Sequence, residues 1–322
     1  MIEPVHIQNF KSIRDLKFNA KRINLFIGEP NTGKSNIIEA LAFFAQGALN
    51  HFGEIFRFKT IADLFFDQKV TKELNVKAGD WEFSLKFTGA HFQGVFLQSV
   101  NPQTVIPRTQ IQMDYSRLVG WSEPKTPLRY YRFKPLDLFP NGQPGTLNPP
   151  FGDNLVAVLY SNEELRQKIG SLIRSKGFRL QLKPTDNELL IAKDVNDELY
   201  SYPWKSVSET LRRVIFLMAV LETNQNVTLL LDEPEANTFP FYTKYLAERI
   251  ALDESNQFFL TTHNPYLLSS IVEKTPPKDL AVFVARMEKF ETKLTQIPDT
   301  RLPELLEMDS DAFFNLDKLV AA

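Results

Sequence analysis

Gly28-Glu29-Pro30-Asn31-Thr32-Gly33-Lys34-Ser35 fits the pattern G-x-x-x-x-G-K-[ST] in full. Its glycines let the backbone curl so that successive N–H groups turn inward, a geometry that cradles a β-phosphate. A helix starting at the lysine adds positive potential from its N-terminus. Lys34 is placed to reach β- and γ-phosphates and Ser35 to offer a hydroxyl to Mg2+, while Gly28, Asn31, Thr32, Gly33 and Asn36 complete the expected phosphate contacts. The loop alone does not select the nucleotide. Much later, Val227-Thr228-Leu229-Leu230-Leu231 runs into Asp232 and Glu233. An apolar strand ending in two acids supplies what a phosphate loop needs opposite it. The first carboxylate orients Mg2+ through water; the second holds and polarises a water in line with the γ-phosphate. A third apolar strand, Gln257 to Thr262, ends in His263-Asn264-Pro265. Ligands bind at the C-terminal ends of strands in open α/β sheets, so His263 can donate a hydrogen bond to a γ-phosphate. His6, His51 and His91 have no such setting and read as structural or surface residues.

Those groups must be positioned by a framework, and the sequence outlines one. Residues 3–28 read as three short strands, VHIQNF, DLKFNA and INLFIG, with a helix from Lys34 to about Gln46. Residues 73–115 alternate as an antiparallel sheet. A loop-rich stretch at 116–160 holds several Pro and Gly and marks the internal boundary. Then come a helix over Glu163–Ser175, a hairpin from GFRLQLK and ELLIAKD, and helix, strand, helix and strand from 206 to 262. The tail offers a hairpin, AVFVARM with ETKLTQI, and short helices after Arg301; Asp309 and Asp311 there read as a solvated acidic helical end. The expected division is 1–115 (nucleotide-binding lobe with β subdomain), 116–205 (inserted lobe), 206–290 (acidic strand and histidine with the helix before them) and 291–322 (tail).

Composition excludes several functions. Among 322 residues the net charge is −2, so any nucleic-acid contact must come from a local patch. No cysteine is present, which removes disulfides, thiolate catalysis and cysteine metal sites and suits a reducing, cytoplasmic setting. The longest apolar run, Val214–Leu221, is far too short to span a bilayer, and the N-terminus lacks the apolar core of a signal peptide. Phenylalanine is abundant, at 27 residues, and scattered; it predicts aromatic-rich packing.

Asn9-Phe10-Lys11-Ser12, GEPNTGKSN with Glu39 downstream, DEPEANTFP (232–240) and TTHNP (261–265) come in the order and spacing of one group. Through them the chain resembles the ABC-type ATPases of the SMC, RecF and OLD group, often described simply as AAA-family ATP-binding proteins. The resemblance implies an α/β P-loop NTPase fold: a mixed, ABC-ATPase-like central sheet, an antiparallel β lobe and an inserted helical lobe. It implies ATP and Mg2+ as ligands, with Lys11 and Ser12 lining the nucleotide and His263 as the switch histidine. Glu235-Ala236-Asn237 would be the loop that communicates across a dimer. Relatives commonly carry Asn at the position of Pro30 and Gly at that of Asn31, and histidine in the stretch that here reads Asn237-Thr238-Phe239-Pro240.

The group also places a Ser-rich signature, normally with glycine, one helix before the acidic strand, where it contacts the γ-phosphate of a second copy. The candidate, Ser206-Val207-Ser208-Glu209-Thr210-Leu211-Arg212-Arg213, has no glycine. Two readings stand: Ser206 and Ser208 as a degenerate signature, or Ser206-x-x-Glu209 as a capping box alone. Both can hold, because a capped N-terminus still attracts anions. Gln68 is the candidate glutamine ligand of Mg2+. Arg166, Lys168, Arg174, Lys176, Arg179 and Lys183 occur with no acid among them, and form either a contact for a DNA phosphate backbone or an acidic partner, or a solvated face.

The stretch before the signature is too short for SMC coiled coils, and the one after His263 too short for an OLD-type nuclease domain. The resulting expectation is an ATPase that forms a homodimer, or higher even-numbered oligomer, around ATP and acts on a separate effector, a nuclease or toxin in anti-phage defence or DNA transactions. An ATP-gated scaffold or RecF-like DNA clamp with little turnover is the alternative; a transporter motor is disfavoured by the Asn9–Ser12 segment.

Overall fold

The structure, a computed structural model, describes residues 1–101, 104–120, 125–308, 313, 315 and 316. Asp309 and Asp311 lie outside the described residues. The elements in chain order are β1 (Val5–Phe10), β2 (Ile13–Phe18), β3 (Ile23–Ile27), α1 (Lys34–Ala42), α2 (Phe52–Ile55), β4 (Leu74–Ala78), β5 (Trp81–Phe87), β6 (Phe92–Asn101), β7 (Thr104–Met113), β8 (Leu118–Gly120) and β9 (Leu128–Tyr131). They continue with α3 (Leu155–Ser161), α4 (Glu163–Arg174), β10 (Arg179–Lys183), β11 (Glu188–Val195), β12 (Glu198–Pro203), α5 (Glu209–Thr223), β13 (Thr228–Asp232), α6 (Pro240–Ala251), β14 (Gln257–Thr261), α7 (Pro265–Lys274), β15 (Leu280–Glu288), β16 (Glu291–Gln296) and α8 (Leu302–Met308).

The central sheet has the order β16-β15-β3-β14-β13-β9. All its pairings are parallel except β15 with β16. A mainly parallel sheet is covered on both faces, so its strands are apolar throughout rather than alternating with polar residues. Odd and even positions serve different cores. Ile23, Leu25, Ile27, Leu229, Leu231, Phe258 and Leu260 join the core made with the helices from α3 onward. Phe26, Leu230, Phe259 and Phe283 face the second core, with α1 and the antiparallel sheet β2-β1-β4-β5-β6-β7-β8. The phenylalanine surplus is concentrated in this second core. Phe26 stacks with Phe283 at 5.4 Å between ring centroids and Phe43 with Phe83 at 4.3 Å, contacts that add to ordinary burial.

Three elements differ from the sequence expectation. Helix α1 stops at Ala42, because Gln46 donates its N–H to Leu128 and Gly47 turns with φ 78°. The inserted segment holds α3 and α4 and also a three-stranded sheet, β10-β11-β12, while β9 within it belongs to the central sheet beside β13. Helix α7 begins immediately after His263; Asn264 caps it by accepting from the N–H groups of Tyr266 and Leu267, with Pro265 in the first turn. Among the described residues no helix is long and apolar enough to cross a membrane.

The basic stretch 166–183 is not unopposed in space. Lys168 pairs with Glu164 and Glu222, Arg179 with Asp194 and Lys183 with Glu188. Arg166 donates to the carbonyls of Leu159 and Tyr160. The acids come from segments outside the stretch or on its flank, so the linear run overstated the local charge.

Candidate functional site

The site lies at the C-terminal edge of β3, β14 and β13. Asp232 pairs with Thr261, and Thr261 in turn with Phe26, so the acidic strand and the phosphate loop leave the sheet side by side. Gly28 has φ 141°, and a Cβ on it would lie 2.3 Å from the Ala285 carbonyl oxygen of β15. Gly33, at φ 91°, caps α1 in the left-handed conformation; a Cβ there would lie 2.0 Å from Thr292 Oγ1 and 2.7 Å from Ser12 Oγ. Only glycine fits either place. Asn31 has φ 62°, and asparagine is among the few non-glycine residues at ease in that region, which accommodates the departure from the relatives' glycine.

Lys34 is buried, and its ammonium donates to the carbonyls of Gly28 (2.9 Å) and Glu29 (2.7 Å). Burial pushes its pKa down to about 8, against the opposing pull of Glu233, Asp232 and Glu29. Ser35 Oγ donates to Asp232 Oδ1 at 2.9 Å. Thr261 Oγ1 donates to the same oxygen at 2.5 Å and accepts the Glu233 N–H at 2.9 Å. Glu233 itself has φ 46°, an unfavourable conformation for a residue with a Cβ, and these bonds hold it. Its carboxylate meets His263 Nε2 at 3.0 Å. Burial and the Lys34 charge lower the His263 pKa, with Glu233 and Asp232 opposing. The 3.0 Å contact suits an Nε2–H donated to the carboxylate oxygen.

The donor set fits Mg2+. Ser35 and Asp232 present hard oxygens within hydrogen-bond reach of each other beside a helix N-terminus, and Mg2+ takes one or two protein oxygens completed by phosphate and water. Among the described residues no three His, Asp or Glu side chains gather into a metal cage of their own.

The other sequence candidates fall into separate places. Asn36 Nδ2 donates to Ser12 Oγ (2.7 Å), Ser12 Oγ is 2.7 Å from Thr292 Oγ1, and Thr292 Oγ1 donates to the Thr32 carbonyl (3.0 Å). This chain of bonds braces the phosphate loop from behind. Lys11 donates to Glu39, which also accepts from Arg57 Nε. Gln68 is exposed and donates to Asp63 at 2.8 Å; among the described residues it makes no hydrogen bond to Ser35 or Asp232. The cap of α5 is Ser208, whose Oγ accepts from the Leu211 N–H at 3.4 Å. Ser206 instead ends a 3-10 turn anchored by buried Trp204, so the Ser206–Glu209 capping box does not form. Glu209 opens the helix and binds Arg213 (3.0 Å) and Asn237 (3.2 Å), and Thr210 Oγ1 donates to the Asn237 carbonyl (2.8 Å). The candidate signature segment is thus clasped to the loop after the acidic strand. In that loop Glu235 is buried, accepting from Thr262 Oγ1, and burial pushes its pKa up to about 7.

Sequence reasoning missed Thr292 and Arg57. Neither lies in a local motif, and each reaches the site only through folding.

Residues 1–107 match the family described as an AAA ATPase domain, and residues 117–269 the one described as "AAA domain, putative AbiEii toxin, Type IV TA system". The chain is 39% identical to "Uncharacterized protein MJECL10" of Methanocaldococcus jannaschii, over 31% of this chain and 48% of that protein, and so spans about half the length of the curated relative it matches. Among solved structures it is similar to the crystal structure of the SmcHead bound to the C-winged helix domain of ScpA. The TM-score is 0.53 at 16% identity, covering 92% of this chain and 97% of that one. At that identity the likeness speaks to the fold.

Proposed function

We propose that this chain, an AAA/SMC-like P-loop ATPase by its family matches and fold, binds and hydrolyses ATP and uses the cycle to act on a separate protein. The carrying observation is the 2.9 Å contact of Ser35 with Asp232, which joins the phosphate loop to the acidic strand beside Lys34, Glu233 and His263. Mg2+ held by Ser35 and Asp232 would supply positive charge to the β- and γ-phosphate oxygens. Glu233 takes a proton from water as the water oxygen bonds to the γ-phosphorus. The bond from that phosphorus to the β–γ bridging oxygen breaks, and its electron pair leaves with ADP. Lys34 neutralises the phosphate charge. His263 Nε2–H, directed at Glu233 in the structure, is drawn to an arriving γ-phosphate instead, which frees Glu233 to hold water only when ATP is present.

Two copies would close around ATP, with the capped N-terminus of α5 facing the second copy's phosphate. The output would pass to an effector, in keeping with the toxin-system wording of the second family description. The ion pairs that Lys168, Arg179 and Lys183 make with acids outside the stretch argue against giving it a DNA role.

Glu233→Gln tests the proposal. Turnover should fall by about 10²–10⁴-fold while ATP still binds, and a species of doubled mass should accumulate with ATP and Mg2+ in light scattering. Unchanged turnover would remove Glu233 as base and favour a nucleotide-gated scaffold.

A further inference from the structure

Beyond Asp232 and Glu233, on the side toward α5, a cleft of about 260 Å³ opens among the ends of β9 and β13, α5 and the segment after α2. Its walls share Asp232, Glu233 and Glu39 with the nucleotide site, and three guanidinium groups line it: Arg57 after α2, Arg132 after β9 and Arg213 on α5. Structural ion pairing does not exhaust these cations. Arg132 donates to the Glu54 carbonyl at 3.2 Å and has no carboxylate within ion-pair distance among the described residues. Arg213 stacks over Phe133 at 4.8 Å and spends one nitrogen on Glu209, yet its buried Nε has no partner. Arg57 gives Nε to Glu39 and reaches Asn36 only at 3.5 Å with a second nitrogen. Guanidinium groups are forked donors shaped for oxyanions, and these three reach the same cleft from separate segments.

We propose that this cleft is an oxyanion site that receives the inorganic phosphate leaving the far side of Glu233. Its ligand in the working cycle rests on the hydrolysis reading; its capacity to bind phosphate does not. The cleft volume accommodates a tetrahedral oxyanion with water. Phosphate formed beside Glu233 would then have a guanidinium-lined outlet that does not require ADP to leave first.

The test titrates the purified full chain with inorganic phosphate in a calorimeter. Lys34→Ala disables the phosphate loop, and phosphate binding should survive it within about twofold. Adding Arg132→Gln should weaken that binding by about tenfold, and Arg132→Lys should restore part of it. Arg132 is exposed, so its replacement leaves the fold intact. Loss of all phosphate binding in Lys34→Ala, or no effect of Arg132→Gln, overturns the proposal. A second arm measures ATP affinity in Glu233→Gln with and without Arg132→Gln. Equal affinities support a site for released phosphate, and a weakening of ATP without a weakening of phosphate overturns it. Phosphate binding in a chain that never hydrolyses ATP would keep the cleft and discard the function proposed above.

Discussion

Ser35 and Asp232 are 197 positions apart in sequence and 2.9 Å apart in space. The hydroxyl belongs to the first turn of α1 and the carboxylate to the last residue of β13, so the contact exists only once β14 has seated between β3 and β13. Asp232→Asn keeps the shape of the side chain and removes its charge. Hydrolysis should fall by about 10²–10³-fold and its midpoint in a Mg2+ titration should rise. A variant with an unmoved Mg2+ midpoint would show that Asp232 does not serve the metal.

Thr261 serves both carboxylate residues, donating to Asp232 and accepting from the Glu233 backbone. Thr261→Val leaves the part-buried Glu233 N–H without its partner and releases the strained Glu233 backbone. Stability in urea should drop by about 1–3 kcal/mol, turnover should drop with it, and Thr261→Ser should recover both. Wild-type turnover in the valine variant would show that Glu233 needs no such tether.

Burial holds Lys34 near a pKa of about 8 in the free protein, and bound phosphates must raise it again. Below about 8 the ammonium is already charged, so ATP binding needs no proton. Above it, binding takes one up and affinity declines by as much as about tenfold per pH unit. Calorimetry in buffers of different ionisation heat reads the uptake directly. Heats that do not depend on the buffer at pH 9 would contradict it.

Glu235 has the opposite sign of shift: burial raises its carboxyl from 4.5 to about 7. Between those values the folded chain keeps a proton that the unfolded chain has released, so this group's contribution to stability declines as pH rises through the window and levels off above it. Glu235→Gln removes the titration. Its Tm should gain on wild type from about pH 5 to about pH 8, and parallel Tm curves would count against a buried carboxylate.

Gly33→Ala forces a methyl group onto Thr292 Oγ1 at a φ that side chains avoid. The phosphate loop should yield first, with ATP affinity down by about tenfold or more and stability down by about 1–3 kcal/mol. A variant that binds ATP normally would mean the loop relaxes without loss.

The parts of this site that were legible in sequence are contiguous. The phosphate loop with its flanking strand and helix, the run into Asp232-Glu233 and the strand into His263 each carry their own context. Other parts were hidden by distance. β9 is four residues long and adjoins a loop-rich stretch, and nothing local reveals that it pairs with β13. Thr292 and Arg57 act through partners on other elements. The α5 cap moved from Ser206 to Ser208 because buried Trp204 fixes the turn before it, a packing effect no capping pattern contains. Helix α7 was readable from Asn264-Pro265 and was overlooked beside the chemistry of His263. The basic stretch misled because the acids answering Lys168 and Arg179 include Glu222 and Asp194, both beyond its end.

Ser12 and Thr292 touch across 280 positions, and Thr292 also holds the carbonyl of Thr32. During synthesis the phosphate loop leaves the ribosome well before the strand that braces it, since Thr32 and Thr292 are 260 positions apart. A chain terminated before β16 carries the whole nucleotide motif without this brace, so the loop gains its support only when β16 has been made and has paired with β15.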